Sequence, residues 1–361
     1  MEYRAITIGE LKSFIKSDLY QNSKNIPITQ QRALSQIQNP NASNKDIALI
    51  IAVKNKNIVG FIGALPEKLS EHPDLKLAWN SCWWIDHANG QETAIPLFLQ
   101  FLKAWNGHVM FRDLTPKTEA ILMRLKQFEK VKKLVGYRYF LKLNSTEILK
   151  NKNPNWKYLS TVLKGIDASF NKLLNFKNRA FKKTKSIQAI SIKQMDNEAM
   201  NLIEKQNHKA LFKKDKEHLN WMLQHPWVVK KSLKKPNQFY YFTDTATIFK
   251  TTFFKLYNAK KELIAVLYIT NHNGLIKLPF VYFKTEELPK VVSFLYAYMF
   301  EEKAHSVFII NNDLNQYIQQ HKNPFWHQKK QEKDFVIAKK LKAFLPNPFD
   351  FQDGEGDFGF T

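Results

Sequence analysis

The residues whose types and spacing best suit binding chemistry lie in the stretch 81-SCWWIDHANGQETAIPLFLQFLKAW-105. An apolar run, which predicts a strand, is followed by a polar loop with one glycine and then by an apolar helix that Pro96 opens. Free N–H groups and the positive end of the helix dipole attract anions at such a junction. The turn 91–96 is therefore the first candidate for binding a phosphorylated ligand.

The elements that position this turn form a mixed α/β pattern. Before it, two apolar runs at 47–53 and 58–65 predict strands joined by a Lys/Asn hairpin. The second half of the chain repeats the order of strand, polar turn, proline, apolar helix and strand around Pro289, which is 193 residues after Pro96 (289 − 96). This order predicts an internal duplication of an α/β unit with a mixed sheet.

The duplication divides the chain into an N-terminal domain at 1–150, a basic helical linker at 151–185 and a C-terminal domain at 186–361. The linker has nine Lys and Arg but one acidic residue. Its apolar side chains follow helical spacing, which predicts an amphipathic helix with a basic outer face: Leu163, Ile166, Phe170, Leu173 and Leu174. Two interpretations remain open: a solvated helix packed on both domains, or a contact for an anionic partner such as tRNA, an acidic glycan or a membrane surface.

Composition limits the classes of protein. The chain has 361 residues, 44% of them hydrophobic, which is enough for substantial cores, and a formal net charge of +23. That charge favours acidic partners, although a generally basic composition explains it equally well. The single cysteine, Cys82, excludes an intramolecular disulfide and a cysteine-based zinc site, and no metal site is expected. No targeting or transmembrane segment is recognisable, so a soluble, cytoplasmic protein is expected.

In element order over nearly the whole chain, the sequence resembles the GNAT superfamily of acyl-CoA-dependent N-acyltransferases, in a tandem two-domain form. In that family the fourth strand diverges from the fifth and pairs with the pantetheine arm. The next turn carries Gln/Arg-x-x-Gly-x-Gly/Ala, whose amides hold the pyrophosphate of coenzyme A. Here Gln91 matches the first position, Ala94 replaces the first glycine and Pro96 replaces the last small residue.

The resemblance implies that acetyl-CoA or another acyl-CoA is the cosubstrate and that no metal takes part. The cofactor-binding residues that it implies are two on the strand and five in the turn: Trp84, Ile85, Gln91, Glu92, Thr93, Ala94 and Ile95. The equivalent turn of the second half, 284–289, has no glycine and two adjacent glutamates. The first half is therefore the expected cofactor-binding half.

N-acyl transfer also needs a base for the ammonium group and an acid for the leaving thiolate. Asp86 and His87, at the carboxyl end of the strand, are the candidates for the base. Tyr317 is the candidate for the acid, because the family often has a tyrosine early in the helix after the fifth strand. The resemblance implies a small-molecule amine as acceptor, with amino sugars and other cell-envelope precursors as candidate classes.

Two other functions remain open at this point. The altered turn and the basic linker also suit a catalytically silent GNAT-like module that binds an anionic partner or scaffolds a complex. A tandem fold this basic is also similar to the Fem-type transferases, which use aminoacyl-tRNA. Binding of acyl-CoA would argue against the silent module, and tRNA binding with a steep salt dependence would favour the Fem-type enzyme.

Overall fold

The computed structural model describes residues 1–145, 149, 158–183, 187–206, 210–230, 238–346 and 348–361. Its strands are β1 (Glu2–Thr7), β2 (Ile47–Lys54), β3 (Asn57–Lys68), β4 (Lys76–Ile85), β5 (Val109–Arg112), β6 (Phe128–Phe140), β7 (Gln188–Ile192), β8 (Val229–Lys230), β9 (Thr245–Ala246), β10 (Phe249–Tyr257), β11 (Leu263–His272), β12 (Leu275–Phe283), β13 (Ser306–Ile309) and β14 (His327–Ala338). Its α-helices are α1 (Leu11–Phe14), α2 (Asp18–Asn22), α3 (Gln30–Ile37), α4 (Ala94–Ala104), α5 (Pro116–Arg124), α6 (Ser160–Lys177), α7 (Asn197–Gln206), α8 (Lys216–Gln224), α9 (Leu288–Glu301) and α10 (Asn312–Gln320).

The chain forms two compact units that are discontinuous in sequence. The first comprises Met1–Leu134, Lys193–Phe249 and Lys333–Thr361, and the second comprises Val135–Ile192 and Lys250–Glu332. The units do not follow the expected boundaries at 150 and 186. Residues 158–183 of the expected linker belong to the second unit, while residues 151–157 and 184–185 lie outside the described part of the chain.

The two units have sheets of the same strand order. In the first unit the order is β1-β2-β3-β4-β5-β14, and in the second it is β7-β10-β11-β12-β13-β6. The fourth and fifth strands are parallel in both sheets, β4 with β5 and β12 with β13. The α/β class with mixed sheets that the element order predicts is confirmed, and the matching orders show the repeat.

The sixth strand of each sheet comes from the other half of the chain. β6 follows α5, whose unit is the first, yet its residues 137–140 pair with β13 in the second unit. β14 follows α10 of the second unit, yet its residues 335–337 pair with β5 in the first. This exchange explains why the boundaries of the units differ from those of a simple tandem pair.

The first unit covers both faces of its sheet with helices. α4 buries Leu97, Phe98 and Phe101 on one face, and Phe98 stacks on Trp83 of β4 with ring centroids 5.2 Å apart. The opposite face packs against α1 and α3 through an apolar cluster that includes Leu11. Alternation along β4 therefore sends neighbouring tryptophans to opposite faces.

The second unit has a large apolar core around α9, whose buried residues include Val291, Leu295 and Met299. Nearly every residue of β11 and β12 is buried, as expected for central strands that are covered on both faces. Within the described part of the chain, no helix is long and apolar enough to cross a bilayer.

Candidate functional site

The fourth and fifth strands of the first unit pair over only two residues. Ala78 lies opposite Val109 and Trp79 opposite Met110. β4 then continues to Ile85 without further pairing to β5, although both strands are fully described. A register shift against β3 accompanies the divergence, since Gly63 pairs with Cys82 and Ala64 with Asn80. The last six residues of β4 thus present an edge that β5 does not cover.

The turn after β4 is held by the carboxylate of Asp86. Its two oxygens accept hydrogen bonds from the Ala88 amide (2.9 Å) and from Asn89 Nδ2 (3.1 Å). The backbone amide of Asp86 donates to Val59 O at 2.8 Å, and its backbone carbonyl accepts from the Gly90 amide at 2.7 Å. The bonds from Asn89 and then Ala88 lower the pKa of Asp86. The group is therefore an ionised turn anchor and a weak proton acceptor.

The single glycine of the turn serves close packing. A Cβ on Gly90 would lie 2.2 Å from Val59 O, so no other residue fits there without movement of the backbone. Thr93 is fully buried; its hydroxyl donates to Gly90 O at 2.6 Å, and its amide donates to the same oxygen at 2.9 Å. The side chain of Thr93, an expected cofactor contact, therefore belongs to the packing beneath the turn.

The other expected cofactor residues divide into exposed and packed ones. Gln91 and Glu92 are exposed in the 3-10 turn Gln91–Thr93, and Ile95 is 69% exposed in the first turn of α4. Ala94 is half-buried at the start of α4. On β4, Ile85 is half-buried and packs toward α4, while Trp84 stacks on Phe61 on the opposite face with centroids 5.3 Å apart.

The charges near the turn include two lysines. A cavity of about 270 Å³ beside the turn is lined by Lys24, Lys54, Asp86 and Asn89, among others. Lys54 pairs with Glu92 at 3.1 Å. The pKa of Glu92 is lowered first by a hydrogen bond from its own amide and then by Lys54. The lysine offsets the negative charge that Glu92 would otherwise place at the helix N-terminus.

The two remaining expected catalytic residues lie in different units. His87 is exposed in the turn of the first unit. Tyr317 lies on α10 of the second unit, where its ring is half-buried against the apolar core and stacks on His321 with centroids 4.0 Å apart. Among the described residues, no group of three or more His, Cys, Asp or Glu side chains is arranged to hold a metal ion.

Sequence reasoning missed a network of buried charges in the first unit. It centres on the acidic segment 353–357, which contributes Asp353, Glu355 and Asp357. Arg112 of β5 pairs with the Asp353 carboxylate and donates to its carbonyl at 2.6 Å. The Lys214 ammonium lies 3.1 Å from Glu355, and Arg32 lies 3.2 Å from Asp357. All three cations are nearly fully buried.

This network lies beside the point where β4 and β5 diverge. Gly356 packs against the Trp79 ring, and Trp79 is the last residue of β4 that pairs with β5. Arg32 Nη2 donates to Ser81 O, two residues further along β4, at 2.9 Å. Perturbed ionisable groups next to an open strand edge are typical of functional sites.

Burial shifts the pKa values of several groups in this network. It raises the pKa of Glu355 to about 7, because desolvation outweighs the attraction of Lys214. The pKa of the buried Cys82 thiol is also raised, first by desolvation, although the Arg32 charge opposes the shift. Cys82 is therefore an unreactive thiol, as its apolar strand predicts.

The acidic segment had a recognisable signal in the sequence. In the stretch 353-DGEGD-357 acidic residues alternate with glycines, although basic residues outnumber acidic ones in this chain. Such a stretch indicates either pairing with buried cations or a role at the surface. The partners give no such signal, because nothing in the neighbouring sequence distinguishes Arg32, Arg112 or Lys214 from the other basic residues of the chain.

No protein-family model matches this sequence, and no curated protein matches it. Solved structures do resemble the fold. An N-myristoyltransferase from Saccharomyces cerevisiae with bound myristoyl-CoA aligns with a TM-score of 0.53 at 11% identity, over 93% of this chain and 78% of that one. A conserved protein of Enterococcus faecalis, described as a probable N-acyltransferase, aligns with a TM-score of 0.47 at 10% identity, over 95% of this chain and 74% of that one.

A putative acetyltransferase from Pyrococcus horikoshii aligns with a TM-score of 0.46 at 10% identity, over 99% of this chain and 92% of that one. At these identities the likeness shows the fold alone. The N-myristoyltransferase alignment, together with the strand order and the divergence of β4 from β5, shows that the chain has the same fold as that protein.

Proposed function

We propose that this protein is an acyl-CoA-dependent N-acyltransferase whose cosubstrate binds in the first unit. The observation that carries the proposal is the divergence of β4 from β5 after Trp79 and Met110. It leaves a strand edge that β5 does not cover and that leads directly into a turn and a helix N-terminus. An extended pantetheine arm fits such an edge, because its amides can bond to the strand backbone as a neighbouring strand does.

The turn supplies the second part of the site. The N-terminus of α4 and its preceding 3-10 turn attract the pyrophosphate through their amides and the helix dipole. Lys24 and Lys54 line the adjoining cavity; Lys24 adds positive charge there, while Lys54 offsets the charge of Glu92. The Saccharomyces N-myristoyltransferase structure contains myristoyl-CoA, and the shared fold supports the same class of cosubstrate here.

The reaction requires two proton transfers around one bond exchange. The amine nitrogen attacks the thioester carbonyl, a C–N bond forms, the C–S bond breaks, the amine loses a proton and the thiolate gains one. Glu355 suits the general base better than Asp86, because its pKa of about 7 matches a neutral working pH. Its neighbour Gly356 lies against Trp79, at the divergence of the strands.

The acceptor that we propose is a primary amine on a small molecule, with an amino sugar as the first class to screen. His87, which is exposed between β4 and α4, is the alternative base. Acyl transfer to an amino sugar requires only the acyl-CoA and the amine. A screen with acetyl-CoA and a panel of amines therefore tests the acceptor directly.

Calorimetric titration of coenzyme A, acetyl-CoA and myristoyl-CoA into the purified full chain tests the cosubstrate. We expect micromolar binding that Ala94→Arg abolishes, because the new side chain blocks the start of α4. Leu99→Arg is the matched control: Leu99 is 57% exposed on the same helix, more than one turn from the junction. No binding of any of the three ligands at millimolar concentration would overturn the proposal.

A second candidate function is a catalytically silent module that keeps the fold and has lost the cosubstrate. Pro96 favours it, because it removes one amide from the first turn of α4. Asp86 favours it as well, because its carboxylate already accepts the hydrogen bonds of the Ala88 amide and Asn89 Nδ2. Absence of coenzyme A binding, with an intact fold by circular dichroism, would support this candidate.

A further inference from the structure

α6 is attached to the second unit by its polar side chains. Asp167 accepts hydrogen bonds from the Ser145 amide and hydroxyl at 3.1 and 2.6 Å. Asn171 bonds the backbone of Leu143 in both directions at 2.9 Å. Just after the helix, Asn178 Nδ2 donates to Pro324 O at 2.8 Å. These contacts orient the helix and fix which of its faces points outward.

The outward face of this helix carries large apolar side chains. We call them, together with Leu159 at the helix N-cap, the apolar stripe; each is between 49% and 71% exposed: Leu159, Val162, Ile166, Leu173 and Phe176. At 3.6 residues per turn they cover a sector of about 100°. Ordinary surface helices bury their apolar face and expose the polar one. Contiguous exposed apolar surface of this kind marks an interaction site.

The charges around the stripe are positive. Among residues 158–183 the basic ones are Lys164, Lys172, Lys177, Arg179, Lys182 and Lys183, and the single acidic one, Asp167, is buried. Arg179 holds its guanidinium over the ring of Phe176, 4.6 Å from the centroid. The outward surface of α6 therefore combines exposed hydrocarbon with a cationic border, without a compensating surface carboxylate on the same segment.

We infer that α6 is a docking surface for an anionic phospholipid membrane, lying in the plane of the interface. The apolar stripe would enter the boundary between head groups and acyl chains, and the lysines would contact lipid phosphates. Charge complementarity selects this occupant. A nucleic acid would use the lysines but leave the hydrocarbon uncovered, and a neutral protein groove would not use the positive border.

This inference is independent of the proposed acyl transfer, which concerns the first unit. It specifies the place where the protein works, which is a membrane surface.

Sedimentation of the full chain with vesicles tests the docking surface. We expect binding to vesicles that contain phosphatidylglycerol and weak binding to pure phosphatidylcholine vesicles. The variant Ile166→Gln/Leu173→Gln/Phe176→Gln should lose at least about tenfold in affinity, because the apolar area is removed while helix propensity is kept. Lys172→Gln/Lys177→Gln should lose about tenfold on anionic vesicles only.

The matched control is Thr161→Gln/Ala168→Gln/Asn175→Gln, which changes three exposed residues on the other side of the same helix. It should bind vesicles as the unchanged protein does, and circular dichroism should show all variants folded. The inference fails if the stripe variant binds as tightly as the control variant. It also fails if the protein ignores vesicles and instead binds tRNA, or forms a dimer that the stripe variant dissociates.

Discussion

The junction between β4 and α4 and the junction between β12 and α9 hold equivalent places in two sheets of the same order. In both, the strand is parallel to its next neighbour over only two or three residues, and a 3-10 turn precedes the helix. The side chains that hold the turns differ. The first uses Asp86 and Gly90, whereas the second uses the Lys284 amide on Ile264 O and the Glu287 carboxylate.

The surroundings of the two junctions differ more than the turns themselves. The first unit contains three buried cations paired with carboxylates of the segment 353–357. The core of the second unit is aromatic and aliphatic, with neutral polar contacts such as Tyr139 Oη to Asn315 Oδ1 at 3.0 Å. The duplicated backbone therefore does not by itself produce a site. A cluster of buried, paired ionisable groups accompanies it in the first unit, where we expect the chemistry.

The substitution with the largest expected effect removes a buried cation from the ion-pair network of the first unit. Lys214→Met leaves the buried carboxylates of Glu67 and Glu355 without their shared ammonium group, 2.6 and 3.1 Å away. We expect a loss of about 3–5 kcal/mol in the free energy of unfolding. Urea denaturation measures it. Tyr139→Phe, in the second unit, should cost only about 1 kcal/mol. Equal losses would refute the contrast between the two interiors.

The pH dependence of Glu355 sharpens the same contrast. Its pKa is raised from 4.5 to about 7, so the folded state holds its proton more tightly than the unfolded state. The protonated carboxyl group is accommodated in the folded protein without a penalty below pH 4.5. As the pH rises through about 7 the group ionises in its buried site, and this stability is lost. Relative to the unchanged protein, Glu355→Gln should therefore gain up to about 2–3 kcal/mol between about pH 5 and pH 8.

Urea denaturation of both proteins across that pH range measures the gain. Glu67→Gln is the control, because it removes the other carboxylate on Lys214. A pH-independent difference between Glu355→Gln and the unchanged protein would show that Glu355 titrates normally. In the acyl-transfer assay, Glu355→Gln should also remove the acidic limb of the pH–rate profile, a loss that a purely structural role would not produce.

The third effect compares the two turns directly. Gly90→Ala places a methyl group 2.2 Å from Val59 O, so the turn must move away from β3. We expect a loss of about 1–3 kcal/mol in the free energy of unfolding. Lys284→Ala, at the matching turn, keeps the amide that bonds Ile264 O and should change stability by less than about 0.5 kcal/mol. Thermal denaturation of both variants separates these outcomes.

The smallest effect concerns the charge of the first turn. Glu92→Gln removes an exposed carboxylate beside the proposed pyrophosphate site and frees Lys54. Coenzyme A should bind about two- to fivefold more tightly at low salt, with thermal stability unchanged. Glu286→Gln, in the second turn, should leave the affinity as it is. A gain from Glu286→Gln instead would move the site to the second unit.

Local patterns in the sequence predicted the elements of the site well. The apolar run that ends at Ile85, the glycine turn and the helix that begins near Pro96 are all observed, and so is the repeat around Pro289. These features depend on residues close in sequence, such as alternation along a strand and the preference of proline for the first turn of a helix.

Such local patterns could not predict contacts between residues that are far apart in the sequence. Nothing in β6 or β14 marks the unit to which each belongs, because any strand can pair with many edges. The local sequence around Arg112 does not indicate its partner, because Asp353 lies 241 residues later. In α6 the spacing of Ile166 and Leu173 predicted an apolar face, but only the packed structure shows that both residues are exposed.

The exchange of β6 and β14 has a consequence for the order of folding. β5 has no partner on its outer edge until residues 335–337 have left the ribosome, so the first unit completes its sheet only after every residue of the second unit has been synthesised. Until then an unpaired edge is open to other chains, which is a recognised cause of aggregation. We expect refolding in vitro to be slow and concentration-sensitive, as contacts between distant parts of the chain require.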